Sequence, residues 1–153
     1  MAKTVRIVSP HPELIPEKLY QELRAVVDDA QACLGTPDMP TIILTLDCSF
    51  RKSPRNFAAV RAGDPTEFYI CPDLAEQPVT RIRGIFYHEM GHIFQQIEHS
   101  ITGRNELHGR DYEQDADHKA EGICGVKILY DGDLVQRAGR GAFGFRPRPR
   151  GLK

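Results

Sequence analysis

Apolar positions along the chain follow two periods, and the switch between them predicts the order of elements. Residues 3–8 alternate charged or polar positions with Val5 and Ile7, as a short strand does, up to Ser9-Pro10-His11-Pro12. Over residues 16–34 the period lengthens: Leu19, Leu23, Val26, Ala30 and Cys33 recur at spacings of three and four, and Gly35-Thr36-Pro37 ends the pattern. That is an amphipathic helix with one face to bury, here against a sheet. Residues 41–46 are β-branched and apolar enough for a buried strand. Residues 56–61 and 67–71 are shorter strands on either side of Gly63-Asp64-Pro65, and the basic stretch 49–55 reads as a loop.

A second helix is predicted from Pro78, which suits a first helical turn, to about Glu98, with Val79, Ile82, Phe86, Ile93 and Ile97 forming its apolar stripe. Residues 100–110 are polar, contain Gly103 and Gly109, and read as a connection. Helical character returns from Tyr112 to about Tyr130, although Gly122 and Gly125 interrupt its second half. Beyond it, Gly and Pro recur too often for a regular helix.

Composition narrows the class. A chain of 153 residues, 41% hydrophobic and 27% charged, fits one compact domain and is neither disordered nor membrane-spanning. The expected division is a single domain over residues 1–136 and a basic Gly/Arg/Pro-rich tail over 137–153. The net charge of −1 conceals an asymmetry, because six Arg and Lys residues and no acid follow Asp133, leaving −7 on what precedes them. Residues 139–153 also carry Phe143 and Phe145, so the tail is a candidate to dock near a cleft or to contact nucleic acid or an acidic partner. The N-terminus has no apolar run before a small-residue cleavage site, so a cytoplasmic location is expected. Cys33, Cys48, Cys71 and Cys124 form no CxxC pair and read as free thiols, with a Cys48–Cys71 disulfide as the minor alternative.

The chemistry concentrates at His88-Glu89-Met90-Gly91-His92, an HExxH motif inside a predicted helix. Helical residues four apart lie about 6 Å from one another on one face, so both imidazoles can reach a single tetrahedral ion. Glu89 is rotated by about 100° from His88, off the ion but beside it, where a carboxylate can take a proton from water. A bare HExxH also arises by chance as two surface histidines, so neighbouring residues must decide. Glu113-Gln114-Asp115-Ala116-Asp117 supplies them: Glu113 and Asp117 share a helical face, so Glu113 can complete the ligand set while Asp117 accepts the second ring N–H of a ligand histidine. His118 is the alternative third ligand, about 100° from the Glu113 face. Gly91 allows another backbone to approach the motif closely. Asp115 and Glu121 read as solvent-facing charges, and His11 and His99 as solvated or structural. For an oxyanion donor, Tyr112, His108, His118 and Tyr130 are the candidates.

Those two runs, His88 to His92 and Glu113 to Asp117, resemble the gluzincin metallopeptidases, most of all the minimal single-domain minigluzincins, over about residues 40–129. The resemblance implies Zn2+ on His88, His92 and Glu113, a general base at Glu89, and a supporting Asp117. It also implies an α+β, minimal zincin-like fold: a backing helix and a small mixed sheet whose edge strand binds substrate, then an active-site helix and a glutamate helix. A metzincin would need Gly at position 95 and His at 98, where this chain has Gln95 and Glu98. The expected function is zinc-dependent hydrolysis of peptide bonds in a peptide or protein substrate. The rivals are a regulatory peptidase specific for one protein partner, and a catalytically inactive zinc-stabilised interaction module.

Overall fold

The computed structural model describes residues 4–54, 56–102, 109–128 and 134–137, and within them the protein is α+β. Strand β1 (Ile7–Val8) leads through a 3-10 turn at Pro12–Leu14 into helix α1 (Glu17–Leu34). Strands β2 (Ile42–Leu46), β3 (Ala58–Arg61) and β4 (Thr66–Ile70) follow, then a 3-10 turn at Pro72–Glu76 and helix α2 (Val79–Thr102). Helix α3 (Gly109–Cys124) and strands β5 (Val126–Ile128) and β6 (Leu134–Arg137) complete the described chain.

The main sheet has the order β1-β2-β4-β3. β1, β2 and β4 run parallel, while β3 runs antiparallel to β4, Ala58 facing Ile70 and Arg61 facing Glu67. β3 is therefore an edge strand, and among the described residues no strand pairs with its outer side. Alternation explains the burial: Ile42 and Leu44 of β2, and Phe68 and Ile70 of β4, are fully or almost fully buried. The α1 residues Leu19, Leu23, Val26 and Ala30 enter the same core, as the period of three and four requires.

α2 is the central element, packed against α1, α3 and β3. Its stripe of Ile82, Phe86, Met90 and Ile93 lies in the core, where the Phe86 ring meets Phe68 edge-to-face at 5.6 Å. The Pro78 carbonyl accepts from the N–H groups of Arg81 and Ile82, starting the helix where the proline predicts. His88 and Glu89 line a cleft together with Ala58, Ala59 and Val60 of β3.

Several boundaries differ from the sequence reading. Among the described residues of the expected first strand only Ile7 and Val8 are in β1, because pairing with β2 begins at Ile7. α2 runs past Glu98 to Thr102, taking in the first residues of the expected connection. The helix expected to reach Tyr130 stops at Cys124: Gly125 takes φ 71° and donates its N–H to the Glu121 carbonyl at 2.9 Å, a left-handed cap that turns the chain into β5. Glu121 is buried rather than solvent-facing, since its carboxylate accepts the Ile128 N–H at 2.9 Å and so holds β5 against α3. β5 and β6 pair antiparallel, a hairpin the apolar pattern did not mark.

All four cysteines are free thiols, Cys71 and Cys124 buried and Cys33 and Cys48 half-buried. Among the described residues no helix is long and apolar enough to cross a membrane. The basic tail beyond Arg137 lies outside the described residues, as do His108 and Tyr130.

Candidate metal centre

His88 and His92 stand one turn apart on α2, their rings edge-to-face with centroids 4.8 Å apart. α3 crosses beside them and delivers Glu113. One carboxylate oxygen, Oε1, lies 2.9 Å from His88 Nε2 and 3.1 Å from His92 Nε2, so three donor atoms from two helices converge on one point. Those atoms all lie within 4.8 Å of one another.

The crossing is close because position 91 lacks a side chain. A Cβ built there would stand 2.0 Å from the Ala116 carbonyl oxygen and 2.5 Å from its carbon, which no real packing tolerates. Gly91 is thus the place where α3 rests its backbone on α2.

The outward ring nitrogens are fixed as well. His88 Nδ1 lies 2.6 Å from Asp117 Oδ1, one turn along α3 from Glu113. His92 Nδ1 lies 2.7 Å from Gln95 Oε1. The Gln95 amide is itself oriented, its Nε2 donating to the Tyr112 carbonyl and to Asp115 Oδ2, both at 2.9 Å. With acceptors at both Nδ1 positions, each imidazole keeps a proton there; its Nε2 faces Glu113, donating to the carboxylate when protonated and offering its lone pair to an ion once that proton leaves. Tyr112 lies over the other face of His92, its ring stacked at 4.6 Å.

Electrostatics follow from this crowding. Burial opposes charge on His88, but hydrogen bonds to Asp117 and Glu113 prevail and raise it to about 10. His92 is also raised, against its own burial, by Glu113 and by the nearby Glu89. Glu113 is held well below the usual carboxylate range by its hydrogen bonds to the two histidines. Glu89 is pushed the other way: burial raises its carboxyl, and the two imidazoles only partly offset that. Burial, then the charges of Glu113 and Glu89, also raises the Tyr112 hydroxyl.

The cluster lies in a cleft of about 860 Å³, bounded by α2, α3 and the outer edge of β3, with Phe57, Val60 and Ile85 among its apolar walls. Glu89 and Tyr112 line it beside the ligand atoms. His118 does not: it is exposed on another groove, with Phe94, Ile97 and Lys119. Of the residues singled out in the sequence, His88, Glu89, His92, Glu113, Asp117 and Tyr112 come together and His118 does not.

Gln95 was missed, since the sequence reading weighed position 95 only as a place where glycine was absent. Asp115 was misread as a solvent-facing charge, whereas it anchors Gln95. The available signal was spacing, because Gln95 lies three residues after His92 and shares its helical face.

Two imidazoles and one carboxylate, each nitrogen presented by a fixed tautomer and the set open to a cleft, fit a tetrahedral ion of the zinc type with one position left for another ligand. Compared with protein-family models, curated proteins and solved structures, the chain matches none.

Proposed function

We propose that this chain is a zinc-dependent hydrolase of peptide bonds, with His88, His92 and Glu113 holding the ion and Glu89 as the general base. The observation that supports this best is a buried carboxylate, Glu89, beside three convergent donors in a cleft walled by a strand edge with which no other described strand pairs. A site that served only to brace the fold would need neither the carboxylate nor the cleft.

Zinc bound there supplies Lewis-acid chemistry, polarising the scissile carbonyl and acidifying water. The rest falls to the chain's own groups. Glu89 takes the proton of the attacking water and returns it to the leaving nitrogen, a task helped by burial that strengthens it as a base. Asp117 and Gln95 keep the histidines from rotating or changing tautomer while charge builds beside them. Tyr112, the described oxyanion candidate that lines the cleft, is the residue we assign to steady the carbonyl oxygen.

Substrate is held by β3. The Cys71 N–H donates to the Phe57 carbonyl at 2.9 Å, and from there the antiparallel register alternates. Ala59 and Arg61 therefore bond towards β4, while the N–H and C=O of Ala58 and Val60 point to the open side. An extended peptide can add there as a further strand, gaining main-chain hydrogen bonds with little demand on its sequence.

The test compares the wild-type protein with Glu89→Gln, measuring bound metal and cleavage of an unfolded polypeptide. The expected result is unchanged metal with cleavage lowered by about 10²- to 10⁴-fold. An equally active variant, or a wild-type protein that binds no metal, overturns the reading.

A further inference from the structure

A second group of donor atoms lies away from the cleft, where α1 and α3 end side by side. Asp29 and Cys33 stand one turn apart on α1, and Cys124 is the last residue of α3. One donor atom from each lies within 4.8 Å of the other two. The Cys33 thiol points at Asp29 Oδ1, 3.7 Å away. The other Asp29 oxygen accepts the Tyr87 hydroxyl at 2.6 Å, and Tyr87, on α2, is almost fully buried. That contact fixes the carboxylate in the way a supporting residue orients a metal ligand. Neither thiol is in a disulfide.

We propose that Asp29, Cys33 and Cys124 form a second metal site, one that takes a thiophilic divalent ion such as zinc. Two sulfurs and one carboxylate oxygen select zinc or cobalt over magnesium or calcium, which prefer all-oxygen sets. A tetrahedral ion with bonds of about 2.0–2.3 Å holds its donors about 3.3–3.8 Å apart, so atoms at up to 4.8 Å close on it by about 1 Å of side-chain movement. Cys33 and Asp29 are half-buried while Cys124 is sealed, which gives the ion a way in and leaves its fourth position towards solvent. On binding, each thiol releases its proton to the buffer and the ion accepts two thiolates. The ion then joins the end of α1 to the end of α3, bracing the helix that carries Glu113 and Asp117.

Cobalt(II) tests this on the full chain, kept reduced so that the thiols stay free. A sulfur-to-cobalt charge-transfer band in the near ultraviolet can arise only from cysteine ligation, so it is blind to the His88, His92 and Glu113 cluster. The band is expected to appear in the wild type, to persist in Glu113→Ala and Cys48→Ser, and to weaken at least about tenfold in affinity in Cys33→Ser. Absence of the band from the wild type, its survival in Cys33→Ser, or its loss in Cys48→Ser overturns the assignment. A measurement needing no variant runs beside it: zinc should slow alkylation of Cys33 in the wild type by about tenfold, and equal rates with and without zinc count against the site. Neither readout involves hydrolysis, so the proposed peptidase activity stands or falls separately.

Discussion

The His88, His92 and Glu113 cluster and the Asp29, Cys33 and Cys124 cluster are assembled by the same rule: two donors one turn apart on one helix, and a third from α3. They differ in what stands beside them. The first opens on a cleft bounded by a strand edge with which no other described strand pairs, and has a buried carboxylate next to the donor atoms. The second has sulfur donors, a tyrosine hydroxyl on its carboxylate, and helices around it. Convergence of donors therefore sets only the capacity to hold an ion. A neighbouring base and room for substrate decide whether the ion does chemistry or joins two helices.

The comparison is broken most severely by Glu113→Ala. It removes a proposed ligand from one cluster and touches none of the donors of the other, so metal affinity at the histidine site should fall by more than the roughly 10- to 100-fold that a supporting residue costs. Metal titration monitored by histidine NMR would detect it, and unchanged affinity would remove Glu113 from the site. Gly91→Ala comes next. Its Cβ would strike the Ala116 backbone, costing roughly 1–3 kcal/mol or more, lowering the melting temperature and weakening metal binding although no ligand is altered. A stable variant with full metal content would mean that the helices part without cost.

Asp117→Ala and Gln95→Ala act at one remove, each releasing one imidazole. About 10- to 100-fold weaker binding is expected for either, with Asp115→Ala milder than Gln95→Ala because it disturbs only one of the two bonds holding the amide. Reversal of that order would show that Gln95 is not the intermediary.

The smallest effect is in the pH dependence of the metal-stripped protein. His88 is raised to about 10 from an ordinary value of 6.5, and His92 is raised too, so their contribution to stability is complete below about pH 6.5 and is lost as pH climbs towards 10. Glu113 is depressed, so its contribution is present above about pH 4.5 and is lost on acidification. The stripped protein should gain most from this cluster between about pH 4.5 and 6.5. Zinc, which must displace the histidine protons, should raise the melting temperature more at pH 8 than at pH 6. A zinc-induced shift independent of pH would contradict these proton positions.

Much of this site is legible in the sequence because its parts obey local periods. His88, Glu89 and His92 sit within five residues of one helix, and Glu113 and Asp117 within five of another, so helical geometry alone relates them. The α1 and α2 stripes are legible for the same reason. What stays hidden depends on partners distant in sequence. Gln95 gains its role only when α3 brings up the Tyr112 carbonyl and Asp115, and Glu121 becomes a buried acceptor only because β5 folds back onto it. Cys124 and Cys33 likewise look unrelated until α1 and α3 lie side by side. The early stop of α3 rests on a positive φ at Gly125, whereas Gly122 in the same helix carries no such signature, and sequence does not distinguish the two.

The seat of α3 on Gly91 also has a mechanical consequence. Ala116, whose backbone touches that glycine, is three residues from Glu113 and eight from Cys124, or about 4.5 Å and 12 Å along the helix axis. The contact acts as a fulcrum set close to one end of a lever. A small tilt of α3 swings the cysteine end more than twice as far as the glutamate end, and in the opposite direction. A displacement imposed at the sulfur cluster therefore reaches the Glu113 end reduced to less than half its size.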